Sequence, residues 1–223
     1  MTNKFLPAAL AAVAVAGGGA WYYMSAQGAA EQTAITAGAE TSDAELDLDR
    51  VPDMSLGDPD APVEMIEYAS LTCPHCANFH ADVLPDLKAD YIDTGAVHYI
   101  HREVYFDRYG LWAAMIARCG GEDRYFGMLD MIYEGQSDWA TRDDPAEAAE
   151  ELRSIGRSAG ISNDELEACL TDEAQAEAMI AAYEHYSGEH GIEATPTFII
   201  NGERYSNKPY SELAEVIDGK LDN

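Results

Sequence analysis

Two cysteines separated by two residues, Cys73-Pro74-His75-Cys76, stand where a short apolar run ends and a helical pattern begins. Val63 to Tyr68 reads as a buried strand, and Cys73 to about Tyr91 as a helix. Pro74 suits the first turn of that helix, and Pro85 inside it predicts a kink. Such a pair can close a small disulfide ring. At a helix start the first cysteine faces solvent and the second is tucked into the first turn. Cys73 is therefore the expected nucleophile and Cys76 the resolving thiol. The helix N-terminus offers unpaired N–H groups and positive partial charge, both of which stabilise a thiolate on Cys73. His75 adds a favourable field when protonated or suitably oriented. A stabilised thiolate favours the dithiol over the disulfide, so the disulfide becomes the better oxidant. A depression of roughly three to five pKa units supplies about 4–7 kcal/mol, or on the order of 100 mV.

The same spacing has other uses. A lone C-x-x-C can be half of a zinc site, or a structural disulfide. No second C-x-x-C and no H-x-x-x-H accompanies it, so the sequence predicts no metal. No phosphate loop, serine triad or dinucleotide fingerprint is present either. His98 and His101 lie on a strand pattern and read as structural. Trp112, Met115, Phe126, Met128 and Met131 read as core of a helical region.

The N-terminus points to export. Lys4 is the only charge before Glu31, and Phe5 to Met24 is an uncharged, largely apolar run. Residues 1–28 are thus either a cleaved signal peptide or an uncleaved anchor, with Trp21-Tyr22-Tyr23 at the membrane interface. Residues 29–50 read as an acidic linker, and residues 51–223 as the folded domain. Both N-terminal readings place the domain outside the cytoplasm, in the periplasm, with tethering to the inner membrane as the alternative to release. Four cysteines fit an oxidising compartment and allow three pairings. Thirteen basic against 41 acidic residues give a net charge of −28. That surface repels phosphate backbones and argues against nucleic acid as a partner.

The folded part is expected to begin near the turn-rich Gly57-Asp58-Pro59-Asp60-Ala61-Pro62. Ala96 to Phe106 is a second strand. Helices follow over Leu111 to Cys119, about Asp123 to Tyr133, Asp144-Pro145 to near Gly160, from a Ser162/Glu165 capping box, and about Asp172 to His185. Thr197 to Ile200, the turn Asn201-Gly202 and Glu203 to Tyr205 form a hairpin. A last helix starts at Pro209 and Ser211 and ends near Gly219. The result is an α/β sheet with a helical insertion over about residues 108–190.

The segment Glu67-Tyr68-Ala69-Ser70-Leu71-Thr72-Cys73-Pro74-His75-Cys76-Ala77-Asn78-Phe79-His80, followed by Ala194-Thr195-Pro196-Thr197-Phe198, resembles the DsbA-like periplasmic thiol:disulfide oxidoreductases, most closely their alphaproteobacterial branch. The resemblance runs from about Gly57 to the end of the chain. It implies a thioredoxin fold with an inserted helical subdomain. It implies a cis Pro196 packed beside the redox pair, with Thr195 offering its backbone to a substrate chain. It implies that Glu67 is a buried acid that tunes the cysteines and handles protons, where the bare residue pattern also allows a surface glutamate. It further implies a structural disulfide between Cys119 and Cys169, against the alternative of two free buried thiols. Closing that loop would stabilise the fold by about 4 kcal/mol. The activity implied is donation of a disulfide to exported, reduced or unfolded proteins through a mixed disulfide, with reoxidation by a DsbB-like membrane quinone reductase and no bound cofactor. Two alternatives stay open: a periplasmic isomerase or reductase kept reduced, and a metal-binding protein that uses the thiols as ligands.

Overall fold

The structure is a computed structural model and describes residues 48–222. Residues 1–28 and nearly all of the acidic linker lie outside the described residues. Among the described residues, no helix is long and apolar enough to cross a membrane.

Strand β2 (Val63–Ala69) buries every residue except Glu64, as befits a strand covered on both faces. It pairs in parallel with β3 (Val97–Glu103) and antiparallel with β4 (Thr197–Ile200). The edge strand β5 (Glu203–Ser206) follows β4 through the Asn201-Gly202 turn. Both turn residues have positive φ, +45° and +79°, as a type I′ hairpin requires. A further strand, β1 (Met54–Leu56), pairs antiparallel with β3 and gives the order β1-β3-β2-β4-β5. Sequence reading places the start of the fold after β1. Three residues carry no legible alternation, and the strand exists because β3 offers it an edge. β3 also stops at Glu103, short of the expected Phe106, whose ring is 58% exposed.

The expected long helix after Cys73 is divided. Helix α1 (Pro74–Asp82) ends at Val83, α2 covers only Leu84–Leu87, and a π-helical turn over Lys88–Ile92 closes the segment. Pro85 cannot donate to a carbonyl one turn back, and its ring crowds that turn, so the chain restarts there rather than bending. Phe79, Leu87, Tyr99, Phe198 and the α9 (Tyr210–Leu221) residues Leu213 and Ile217 build one core beneath the sheet.

Between β3 and β4 lie six helices: α3 (Arg108–Cys119), α4 (Glu122–Glu134), α5 (Gln136–Trp139), α6 (Pro145–Ser158), α7 (Asn163–Leu170) and α8 (Glu173–His190). Side-chain caps define four of their starts. Asp107 accepts from the Gly110 amide, Asp144 from Ala146 and Asp172 from Gln175, while Ser162 and Glu165 form a reciprocal capping box. Helix α8 runs five residues past the expected His185 and stops at Gly191, whose φ of +61° ends the helical path. The insertion has its own core around Ile116, Tyr125, Leu129, Trp139, Leu152 and Leu166. Gly156 is needed where α6 meets α7, because a Cβ there would lie 2.5 Å from a Leu166 methyl carbon. Cys119 and Cys169 are joined as a disulfide across a sequence separation of 50, linking the ends of α3 and α7.

Candidate active site

Cys73 is the N-cap of α1, with extended backbone and Pro74 at the first helical position. Its sulfur is half-buried and stands as a free thiol, whereas Cys76, one turn on, is fully buried. The thiol of Cys73 lies 3.5 Å from the Thr195 carbonyl. Thr195–Pro196 is a cis peptide, and Pro196 is buried beside the pair. The loop before Cys73 is held from several directions. Gln136 donates to the carbonyls of Leu71 (2.7 Å) and Cys73 (3.1 Å), and the Cys73 amide donates to Ser70 (3.0 Å). The Thr72 hydroxyl donates to Asp107, which also caps α3. The insertion thus fixes the loop that carries the sulfur.

The two thiols are driven apart. The Cys76 thiol donates to the Cys73 sulfur, and that hydrogen bond is the largest influence lowering Cys73. Partial burial opposes it, while the Thr195 side chain and the backbone amides of Cys76 and His75 add to it; the Cys73 pKa falls to about 5. Burial, first, and then the hydrogen bond with Cys73 and the charge of Glu67 push the Cys76 thiol far up. His75 is exposed, and its contribution to Cys73 comes through its backbone N–H.

Glu67 lies in the middle of β2 and is 0% exposed, which removes the surface-glutamate alternative. One carboxylate oxygen, Oε2, accepts from the Tyr99 hydroxyl and pairs with His80 Nε2 at 3.0 Å. Burial raises the Glu67 carboxyl, but His80, with help from the Tyr99 hydrogen bond, outweighs it and holds the group below its ordinary value. His101 sits opposite Glu67 in the β2–β3 register and is also fully buried. Desolvation lowers its pKa to about 3, so it is neutral. Its Nδ1 is 2.8 Å from the Tyr125 hydroxyl, which donates to Glu103 at 2.8 Å; Glu103 in turn holds Arg118 through two 2.7 Å contacts.

The structure therefore brings Cys73, Pro74, His75, Cys76, Glu67, Thr195 and Pro196 to one place and sets Cys119–Cys169 apart in the insertion. The residues that sequence reading did not place in the site are His80, Tyr99 and Gln136, together with His101, which it read as structural. A signal for three of them exists. His80 follows Cys76 by four residues, so both share one helix face, and Tyr99 and His101 alternate onto one face of β3. Gln136 carries no such signal, because its partners lie some 65 residues away.

A family model described as Thioredoxin matches residues 49–219. The crystal structure of Wolbachia pipientis alpha-DsbA1 is 32% identical to this chain, with a TM-score of 0.71 over 76% of this chain and 91% of that one. This chain belongs to the DsbA-like branch of the thioredoxin family. Among curated relatives, a Rickettsia bellii protein provisionally named a protein-disulfide oxidoreductase is 33% identical over 171 residues, which are 76% of this chain and 65% of the relative. The chain thus spans less than two thirds of that relative's length. Disulfide bond formation protein D of Bacillus subtilis is 27% identical over 175 residues, 74% of this chain and 76% of its own length. The thioredoxin fold with inserted helices, expected from the resemblance, is the fold of this DsbA-like chain.

Proposed function

We propose that this protein donates the Cys73–Cys76 disulfide to exported proteins bearing reduced thiols. The observation that carries this reading is the pairing of an accessible Cys73 held at about 5 with a buried Cys76 pushed far up. A substrate thiolate attacks Cys73 Sγ, the more accessible sulfur. The Cys73–Cys76 bond breaks, its electron pair goes to Cys76 Sγ, and that sulfur takes up a proton, since burial disfavours its anion. A second substrate thiolate then attacks the substrate sulfur of the mixed disulfide. Cys73 leaves as a stabilised thiolate, the faster departure for a thiol of low pKa. The substrate ends oxidised by two electrons and this protein reduced by two.

Thr195 presents its carbonyl beside Cys73, suited to an extended substrate strand, and Pro196 packs behind it. Glu67 places negative charge near Cys76 and keeps its thiol protonated. Turnover needs an external oxidant, for which the family resemblance supplies a DsbB-like membrane quinone reductase. An extracytoplasmic location, with residues 1–28 as signal or anchor, accords with the second disulfide, since such bonds persist in oxidising compartments.

A glutathione redox titration of the full chain, with Cys73→Ser as control, tests the donor assignment. The expected midpoint is far above the roughly −270 mV of thioredoxin. A midpoint at or below that value would sink it.

A further inference from the structure

Beneath the redox pair, Glu67, His80 and His101 come from β2, α1 and β3, and all three are buried. A ligand-capable atom from each lies within 4.8 Å of those of the other two. Their hydrogen bonds fix what those atoms can do. The single proton of the Tyr125 hydroxyl goes to Glu103, a carboxylate that already holds Arg118. His101 Nδ1, 2.8 Å from that hydroxyl, must then be the donor. The other ring nitrogen, Nε2, is left with a bare lone pair. It is buried and, among the described residues, has no hydrogen-bond partner, and neither has Glu67 Oε1 nor His80 Nδ1. Buried acceptors with nothing to accept from are costly. Bare lone pairs gathered beside the negative charge of Glu67 suit a cation.

We propose that Glu67, His80 and His101 form a buried binding site for a transition-metal dication of the zinc class. Two imidazoles and a carboxylate are a donor set that zinc takes with three protein ligands, leaving a fourth position for water. The surroundings are those of a metal site. The ring nitrogen of His101 that faces away donates into the Tyr125–Glu103–Arg118 chain, and the Glu67 carboxylate is held by Tyr99. Ligand pairs on a tetrahedral zinc stand ~3.4 Å apart, so side-chain adjustment closes the trio on the ion. Where His80 ligates through the nitrogen facing Glu67, its N–H proton is released as the ion enters. His80 also lines a surface cavity of about 450 Å³ together with Asp130 and Tyr133, the side from which the proposal has the ion enter. The site goes beyond disulfide donation and uses neither active-site thiol.

Cobalt(II) titration of the full chain, with Cys73–Cys76 closed as a disulfide, tests this without thiolate competition. The expected result is a single tightly bound ion with the intense visible d–d bands of a low-coordinate nitrogen–oxygen site and no thiolate charge-transfer band. Zinc should displace it. Tyr125→Phe should weaken binding by about 10–100-fold, the usual effect of losing an outer-shell partner, and His101→Gln by more. Weak six-coordinate bands, unmoved by Tyr125→Phe, would mean that cobalt sits on the acidic surface and would overturn the proposal. So would the absence of any band. If His101→Gln fails to fold, the wild-type spectrum and Tyr125→Phe decide alone. Because the thiols are closed, this result is independent of the redox midpoint, and either proposal can fail without the other.

Discussion

The molecule holds two pairs of cysteines in opposite electrostatic settings. Cys73 caps the start of α1, where backbone N–H groups and the positive end of the helix face its sulfur. Cys119 is the last residue of α3, and Cys169 lies in the last turn of α7, so both sit among carbonyls at negative helix ends. The Glu165 carbonyl oxygen is 3.6 Å from Cys119 Sγ. A thiolate is welcome in the first place and repelled in the second. Since an easily formed thiolate is what makes a disulfide ready to open, the first pair is built to cycle and the second to stay closed. The spacing of the pairs adds to the contrast. A ring of two intervening residues restrains little of the unfolded chain, while a closure across a separation of 50 restrains the whole segment from the end of α3 through α7.

The strongest way to break this comparison is to exchange a sulfur for an oxygen. Cys73→Ser should abolish thiol–disulfide exchange with a reduced protein substrate, because the accessible sulfur is gone and Cys76 is buried. Retention of even a few per cent of the rate, read by oxidation of a reduced test protein, would mean that Cys119–Cys169 also exchanges. The second test removes the closed pair. Replacing Cys119 and Cys169 together by alanine should cost about 2–5 kcal/mol in denaturant unfolding. It should leave the thiolate titration midpoint of Cys73 in place. A shift of that midpoint comparable to the stability loss would show that the two regions are coupled and not merely joined.

How much of this contrast is visible in the sequence differs between the regions. Cys73-Pro74-His75-Cys76 sits on a strand–helix boundary defined by local patterns, so its position at a helix start is legible from adjacent residues. The same holds for the Ser162/Glu165 box and the Asn201-Gly202 hairpin, where one or two side chains decide the backbone. Other features depend on distant partners. β1 forms because β3 presents an edge. The helix after Cys73 breaks at Val83 through a contest between Pro85 and the packing of Leu84 and Leu87. The Glu67–His80–His101 group is spread over three elements, and only the β2–β3 register sets Glu67 opposite His101. Motif spacing along the chain cannot show side chains brought together by pairing across a sheet, so C-x-x-C and H-x-x-x-H patterns are blind to this group. The burial of Glu67 likewise depends on distant packing, with His80 of α1 and Tyr99 of β3 laid against its carboxylate.

Linkage gives a smaller and more discriminating effect. A folded thiol held at about 5, against an ordinary value of about 8.5, stabilises the folded dithiol form. That contribution is complete above the ordinary value and declines as pH falls, vanishing below about 5. Between pH 7 and pH 5 the reduced protein should lose about 1–2 kcal/mol relative to the disulfide form, after allowance for solvent screening of a half-exposed group. Paired thermal unfolding curves of the two forms across this range measure it. A gap that stays constant would mean that Cys73 titrates as an ordinary thiol.

Thr195→Val is the finest probe, because it changes one hydroxyl and leaves the backbone that contacts Cys73. Among the described residues the Thr195 hydroxyl has no other hydrogen-bond partner, and it helps to lower the Cys73 thiol. Protonated, that thiol lies against the Thr195 carbonyl. Ionised, it has no proton to give, and the hydroxyl becomes its donor. Valine has nearly the same shape and cannot donate. The Cys73 midpoint should therefore rise by up to about one unit, equivalent to about 1.4 kcal/mol and about 30 mV toward a weaker oxidant. Ultraviolet thiolate absorbance gives the midpoint, and glutathione equilibrium gives the potential. The two shifts should agree when both are converted to free energy. A potential that moves while the midpoint does not would place the effect of Thr195 on the disulfide form, through packing against the closed ring, and would remove the hydroxyl from the set of donors that distinguishes this cysteine pair from the one at the ends of α3 and α7.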